Sequence, residues 1–223
     1  MPADTTILAG VDCARLRVSP LYAGVPAAAD AFLEPLRGAA YLLLTSNGKD
    51  YAIVAGGAFH EAPAGATLLA PGLAIAGSSS DAVRAATAQH RRGVAGTPLL
   101  GLAERLASGH EIWIVAMGNA TLPVSGNAQN LNRLLHQTEY ATVAVHVTDG
   151  VQAQATGVCG TAEAARRLEE ELRAMASVAA AAEARQPEIA AQLRAIQVSR
   201  EGRAVRMDLR ADAAGVEQLL RLF

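Results

Sequence analysis

The sequence predicts an α+β fold, made mainly of antiparallel hairpins packed against amphipathic helices. Three observations carry this expectation. The pairs Asn47-Gly48 and Glu201-Gly202 and the triplet Thr148-Asp149-Gly150 each stand between two runs of strand-forming residues. Several other segments repeat apolar residues at helical spacing and begin at Ser, Thr or Asp caps. The segment from Ile196 to Leu209 alternates apolar and polar side chains, as a half-exposed antiparallel sheet does.

A strand over Thr5 to Asp12 and a helix over about Ala27 to Arg37 open the chain. A hairpin from Tyr41 to Ala55 follows, with Asn47-Gly48 as a two-residue type I′ loop. That loop sets Leu44 against Tyr51 and Leu42 against Ile53, with Leu43 and Ala52 on the other face. Both faces are apolar, so this hairpin is expected to be central and covered on both sides. Short strands over Thr67 to Ala70 and Leu73 to Gly77 turn at Pro71-Gly72, and Ser78-Ser79-Ser80 caps a helix from Asp81 to Gln89. Thr97 before Pro98 marks another helix start; Leu99, Leu102, Ala103 and Leu106 form its apolar stripe, and Gly109 its stop.

The order then begins again. A strand over Glu111 to Met117 and a helix over Ala128 to His136 lead into a hairpin from Ala141 to Cys159. A two-residue loop there would set Val147 against Gln152. A three-residue loop with Gly150 in the left-handed position of a G1 bulge sets Val147 against Val151 and Val145 against Ala153, and is preferred for that reason. Gln152, Gln154 and Thr156 would then face solvent beside Thr142, His146 and Thr148. Thr161 caps the longest helix, with Ala165, Leu168, Leu172, Met175 and Ala179 inward and i,i+4 pairs Glu163–Arg167 and Glu169–Arg173 outward. Pro187 begins a short helix. In the last hairpin a turn at Glu201-Gly202 pairs Val198 with Val205 and Ile196 with Met207, leaving Gln197, Ser199, Arg206 and Asp208 on the other face. Asp212 caps a final helix with Val216, Leu219, Leu220 and Phe223 inward.

This order reads as one α+β domain over residues 1–223, or as two comparable halves, 1–96 and 97–223. The second repeats a β-α-β-β unit, with Ala162 to Ala195 inserted as helical cover. Chance alternation of hairpins and helices is the competing explanation.

With 51% hydrophobic and 18% charged residues, 223 residues can bury a sizeable core. A net charge of -2 gives no basic field for nucleic acid or an anionic membrane. Lys49 is the only lysine among nineteen basic side chains, a bias expected of a GC-rich bacterial genome. No apolar stretch reaches the roughly 20 residues of a membrane span, and the opening lacks the regions of a signal peptide. The cytoplasm is the default location, with the periplasm or envelope as the alternative if a leader has been removed. Cys13 and Cys159 lack metal-ligand spacing and read as two buried thiols or one disulfide.

Pro2-Ala3-Asp4-Thr5 leading to Gly10-Val11-Asp12, then Leu16-Arg17-Val18-Ser19-Pro20-Leu21-Tyr22, and later Ala74-Ile75-Ala76-Gly77 before Asp81-Ala82-Val83-Arg84, resemble a group of uncharacterised bacterial proteins. In that group a similar opening often follows a leader or membrane anchor, which is what points to an envelope location. The group has no assigned catalytic residues, so the resemblance implies no activity.

The usual signatures of chemistry do not occur. There is no P-loop, no G-x-G-x-x-G after a strand, no G-x-S-x-G elbow and no H-E-x-x-H; the histidines at 60, 90, 110, 136 and 146 never fall at metal-ligand spacing. A Cys159–His146 pair would need the cysteine nearer the hairpin turn than the register puts it. No catalytic residue, cofactor or metal is therefore expected. The segment with the best claim to bind is Gly118 to Asn132, where Asn119, Asn127, Asn130 and Asn132 supply amides that both donate and accept. Asparagine also favours turns, and Asn127 makes a good N-cap, so local structure is the stronger explanation. Two functions follow as expectations. One is a non-enzymatic interaction or scaffold module that meets a protein partner or a second copy through exposed sheet faces or edges; the other is a small-molecule binder or enzyme with its site near residues 118–132.

Overall fold

In the computed structural model, residues 2, 4–24, 38–63, 65–93, 98–122, 129–183, 185–212 and 215 are described. The first part of the chain forms β1 (Ile7–Asp12), α1 (Cys13–Arg17), a 3-10 turn (Pro20–Gly24), β2 (Ala39–Ser46), β3 (Tyr51–Gly57), β4 (Thr67–Ala70), β5 (Leu73–Gly77) and α2 (Ser80–Arg92). The second forms α3 (Pro98–Ala107), β6 (Ile112–Met117), α4 (Gln129–Leu135), β7 (Tyr140–Val147), β8 (Gly150–Val158), α5 (Ala162–Ala182), α6 (Pro187–Arg194), β9 (Gln197–Glu201) and β10 (Ala204–Asp212). The helix expected over Ala27 to Arg37, the Thr97 cap and the helix beyond Gly215 lie outside the described residues. Asp212 Oδ1 does accept from Gly215 N–H at 2.8 Å, as an N-cap would.

All ten strands pair antiparallel in one sheet, ordered β4-β5-β3-β2-β1-β6-β7-β8-β10-β9. The fold is therefore α+β with an antiparallel sheet. β1 and β6 lie side by side at the centre, and each arm runs outward with the same connectivity: β2, β3, β5, β4 on one side and β7, β8, β10, β9 on the other.

Strand alternation assigns two faces. On one, Leu8, Trp113 and Val115 are buried under Leu99 and Ala103 of α3, so the apolar stripe read from the sequence does meet the core. The Trp113 ring lies over Gly10, where a Cβ would collide with it. On the other face Ile7 and Ala116 pack with Leu135, and Leu134 packs with Cys159, Leu168 of α5 and Val205 of β10. Thr161 caps α5 as expected, accepting from Ala164 N–H at 3.1 Å, and Ser79 caps α2 in the same way at 3.1 Å. The Glu163–Arg167 and Glu169–Arg173 pairs form at 3.3 and 2.8 Å.

Two registers differ from the sequence expectation by two residues. In the first hairpin Leu44 pairs with Ile53 and Ser46 with Tyr51, so the loop is the four residues 47–50. Asn47 Oδ1 accepts from both Lys49 and Asp50 N–H, at 3.0 and 2.8 Å, which holds a wider turn than type I′; only Gly48 has positive φ. In the last hairpin Val198 pairs with Met207 and the loop is Gly202-Arg203, with Gly202 at φ 57 as in a type II′ turn. The Val147–Val151 and Val145–Ala153 pairs of the middle hairpin are as expected, but their cause is not a left-handed Gly150. Among the described residues positive φ occurs at Gly48, Gly65, Gly72, Gly93 and Gly202. Position 150 needs glycine because β10 passes so near that a Cβ would sit 2.6 Å from Ala211 O.

Candidate functional site

The same face that carries Trp113 becomes polar in the outer part of the second arm. Register places Asp12, Glu111, His146, Gln152 and Arg210 in one row across β1, the residue before β6, β7, β8 and β10. Ala144, Gln154, Asp208 and Gln197 make the next row, and Thr142, Thr156, Arg206 and Ser199 the one after it. Gln152, Arg206, Arg210, Gln197 and Ser199 are exposed, while Gln154, Thr156 and Asp208 are half-buried. Gln154 Nε2 donates to Asp208 Oδ1 at 2.8 Å. The expectation that Gln152, Gln154 and Thr156 share a face with His146 agrees with this geometry.

Glu111 anchors the inner end of the row. It is 2% exposed, and its carbonyl accepts from Asp12 N–H at 2.7 Å. Its carboxylate joins three segments. Oε1 meets the Arg15 guanidinium of α1 at 2.5 Å, and Oε2 accepts from His146 Nδ1 at 2.9 Å and from Val147 N–H at 2.8 Å. Burial pushes the carboxyl pKa up, but the hydrogen bonds from Val147 N–H, its own N–H and His146 outweigh that push and hold it below 4.5. An ionised carboxylate only accepts, so His146 Nδ1 carries the proton. Both carboxylate oxygens are engaged; the group works as a clasp between the arms rather than as a general base.

Beside His146 a cavity of about 140 Å³ is lined by His110, His146, Gln152, Gln154, Asp208 and Arg210, with small contributions from neighbouring strand residues. A shallower depression of about 390 Å³ continues along the β7–β8 turn and shares Gln152 and Arg210. Ser19, within the opening motif, donates its hydroxyl to Thr148 O at 2.8 Å and so ties that turn to the first arm.

Of the four asparagines singled out in the sequence, the described ones are placed as follows. Asn132 spends its amide on Leu122, accepting from its N–H at 2.7 Å and donating to its carbonyl at 3.1 Å. That two-way bond fastens the chain after β6 onto α4. Asn119 and Asn130 are exposed, and Asn127 lies outside the described residues. Sequence reasoning missed Glu111 and Arg15, whose only signals are an acid next to an apolar strand and a basic residue in a short helix. Both cysteines are free, Cys159 buried and Cys13 half-buried. Among the described residues no group of three or more His, Cys, Asp or Glu is placed to hold a metal ion, and no helix is long and apolar enough to cross a membrane.

No family model and no curated protein matches the chain. Among solved structures, one described as crystal form III of TP0453 is similar, with a TM-score of 0.57 and 6% identity, over 100% of this chain and 98% of that chain. At that identity the likeness is one of fold alone.

Proposed function

We propose that this chain is a non-catalytic interaction module whose recognition surface is the polar face of β7, β8, β10 and β9, and that its partner is a protein. One observation carries the reading. In the first arm the same face is buried at Thr45, Ala52 and Ile75, although Tyr41 on it stays 48% exposed, and Ala82 and Val83 of α2 close over Gly77. In the second arm that face is polar and open at Gln152, Arg206, Arg210, Gln197 and Ser199. Open polar rows leave donors and acceptors that a partner can engage, as at the polar rim of an interface. The sheet edges support the reading less than its faces. β4 has four residues and a register shift before Pro71, and β9 ends in Arg200 and Glu201, features that discourage strand addition. In the alternative site over residues 118–132, Asn132 is engaged with Leu122, and residues 123–128 lie outside the described residues.

The test is a photo-crosslinking residue placed at Gln152 and, as control, at exposed Glu104 on α3, in the producing cells. Adducts formed from position 152 and absent from 104 support the proposal, and sedimentation velocity tells whether the adduct is a second copy. Equal yields at both positions, or none at 152, refute it.

A further inference from the structure

The cavity beside His146 has a counterpart in the other arm. A cavity of about 180 Å³ is lined by Asp4 and Thr5 before β1, the end of β2, the start of β3 and the start of α2. The cavity beside His146 is lined by His110 before β6, the end of β7, the start of β8 and the end of β10, the strand whose place in its arm matches that of β5. The fold thus opens a pocket at the corresponding place in each arm, and its chemistry is set by side chains that differ between them.

In the second arm that chemistry can be counted. Leu106 O can only accept, so the His110 Nδ1 bonded to it at 3.0 Å carries the proton, as His146 Nδ1 does toward Glu111. On an uncharged ring each Nε2 accepts, and on a protonated one it donates. Asp208 adds an acceptor in Oδ2, since Oδ1 is taken by Gln154. Arg210 is a donor, and the Gln152 and Gln154 amides donate as well as accept. An anion would face the Asp208 carboxylate, and a cation would face Arg210. A hydroxyl, which donates and accepts at once, suits every group in the set. The volume is on the order of five water molecules, room for one small ring.

We infer that this cavity is a binding site for a single ring of a neutral polyhydroxyl compound, a sugar. The inference does not depend on the protein partner proposed above. It is tested by titrating the full chain, at a pH where both imidazoles are uncharged, with glucose, galactose, mannose and N-acetylglucosamine in turn, into the tens-of-millimolar range. Backbone, side-chain amide and imidazole nitrogen signals are followed by NMR. At least one sugar is expected to shift the Gln154 amide and the His146 Nε2 resonance saturably, and Asp208→Asn should weaken it about tenfold. Gln152→Leu, on an exposed side chain, gives a second reading if Asp208→Asn does not fold. Three outcomes overturn the inference: no saturable shift with any of the four sugars, equal shifts with acetate or phosphate, or affinity unchanged in the variant that folds.

Discussion

Glu111 is the residue whose loss the structure prices most directly. In Glu111→Ala the Val147 N–H loses its acceptor beside a buried position, at a cost of about 1–3 kcal/mol. The bonds to Arg15 and His146 go too, but those side chains are 42% and 38% exposed and water replaces much of what they lose, so each adds at most about 1 kcal/mol. The sum is about 3 kcal/mol, a fall in Tm of roughly 6–12 °C for a chain of this length. The pH dependence has a definite sign. A carboxyl whose pKa is lowered by folding contributes stability that is fully present above its unfolded value and is lost as pH falls from about 4.5 through the folded value. Urea denaturation followed by circular dichroism should therefore give a wild-type advantage near neutrality that narrows below about pH 4.5. Glu111→Gln, which keeps an acceptor for Val147, should lose less. A Glu111→Ala variant within about 0.5 kcal/mol of wild type near neutrality, a difference typical of surface substitutions, would mean that the clasp does not hold the arms.

Two further outcomes follow from packing. Gly150→Ala places a Cβ 2.6 Å from Ala211 O and 3.3 Å from Asp212 Cα, so the β8–β10 ladder must shift; thermal unfolding should show a loss of about 1–3 kcal/mol, with wild-type stability counting against the close approach. Burial raises the pKa of both thiols; for Cys13 the nearby Arg17 partly offsets it, and for Cys159 the Glu139 charge adds to it. A thiol reagent should label Cys13 slowly in the native protein and Cys159 only after denaturation, whereas rapid native labelling of Cys159 would contradict its burial.

The sequence revealed which residues share a face more reliably than which residues pair. The sequence expectation pairs Leu44 with Tyr51 and Val198 with Val205, each two places from the observed partner, yet the side chains of both hairpins lie on their expected faces because the strand period is two. Loop length was what failed. A four-residue loop at 47–50 depends on Asn47 and Ser46 accepting from the turn's backbone, and an Asn-Gly pair signals the tighter turn just as strongly. The middle hairpin came out in register because only one loop length matched valine with valine. Glu111 escaped notice for a different reason. Its role exists only once α1, the start of β6 and the end of β7 meet, and no local period records that meeting. An amide suited to a ligand is equally suited to a backbone, and Asn132 bonds the backbone of Leu122.

The two arms make a comparison within one molecule. They share strand order and each opens a cavity at the corresponding place, so among the described residues strand order does not explain why α2 covers one face while the other carries exposed polar side chains. Side chains explain it. Ala52, Ile75 and Gly77 are small or apolar enough for α2 to settle on them, and Asp50 secures that helix by accepting from the Ser78 and Ser79 hydroxyls at 3.0 and 3.1 Å. Gln154 and Asp208 stand where Ala52 and Gly77 stand, bonded to each other across β8 and β10. A helix pressed onto that pair would have to desolvate a carboxylate without supplying a new partner, a cost of several kcal/mol that a few apolar contacts do not offset. Among the described residues the polar pair thus leaves this face of the second arm accessible, and that accessibility is what both proposals require.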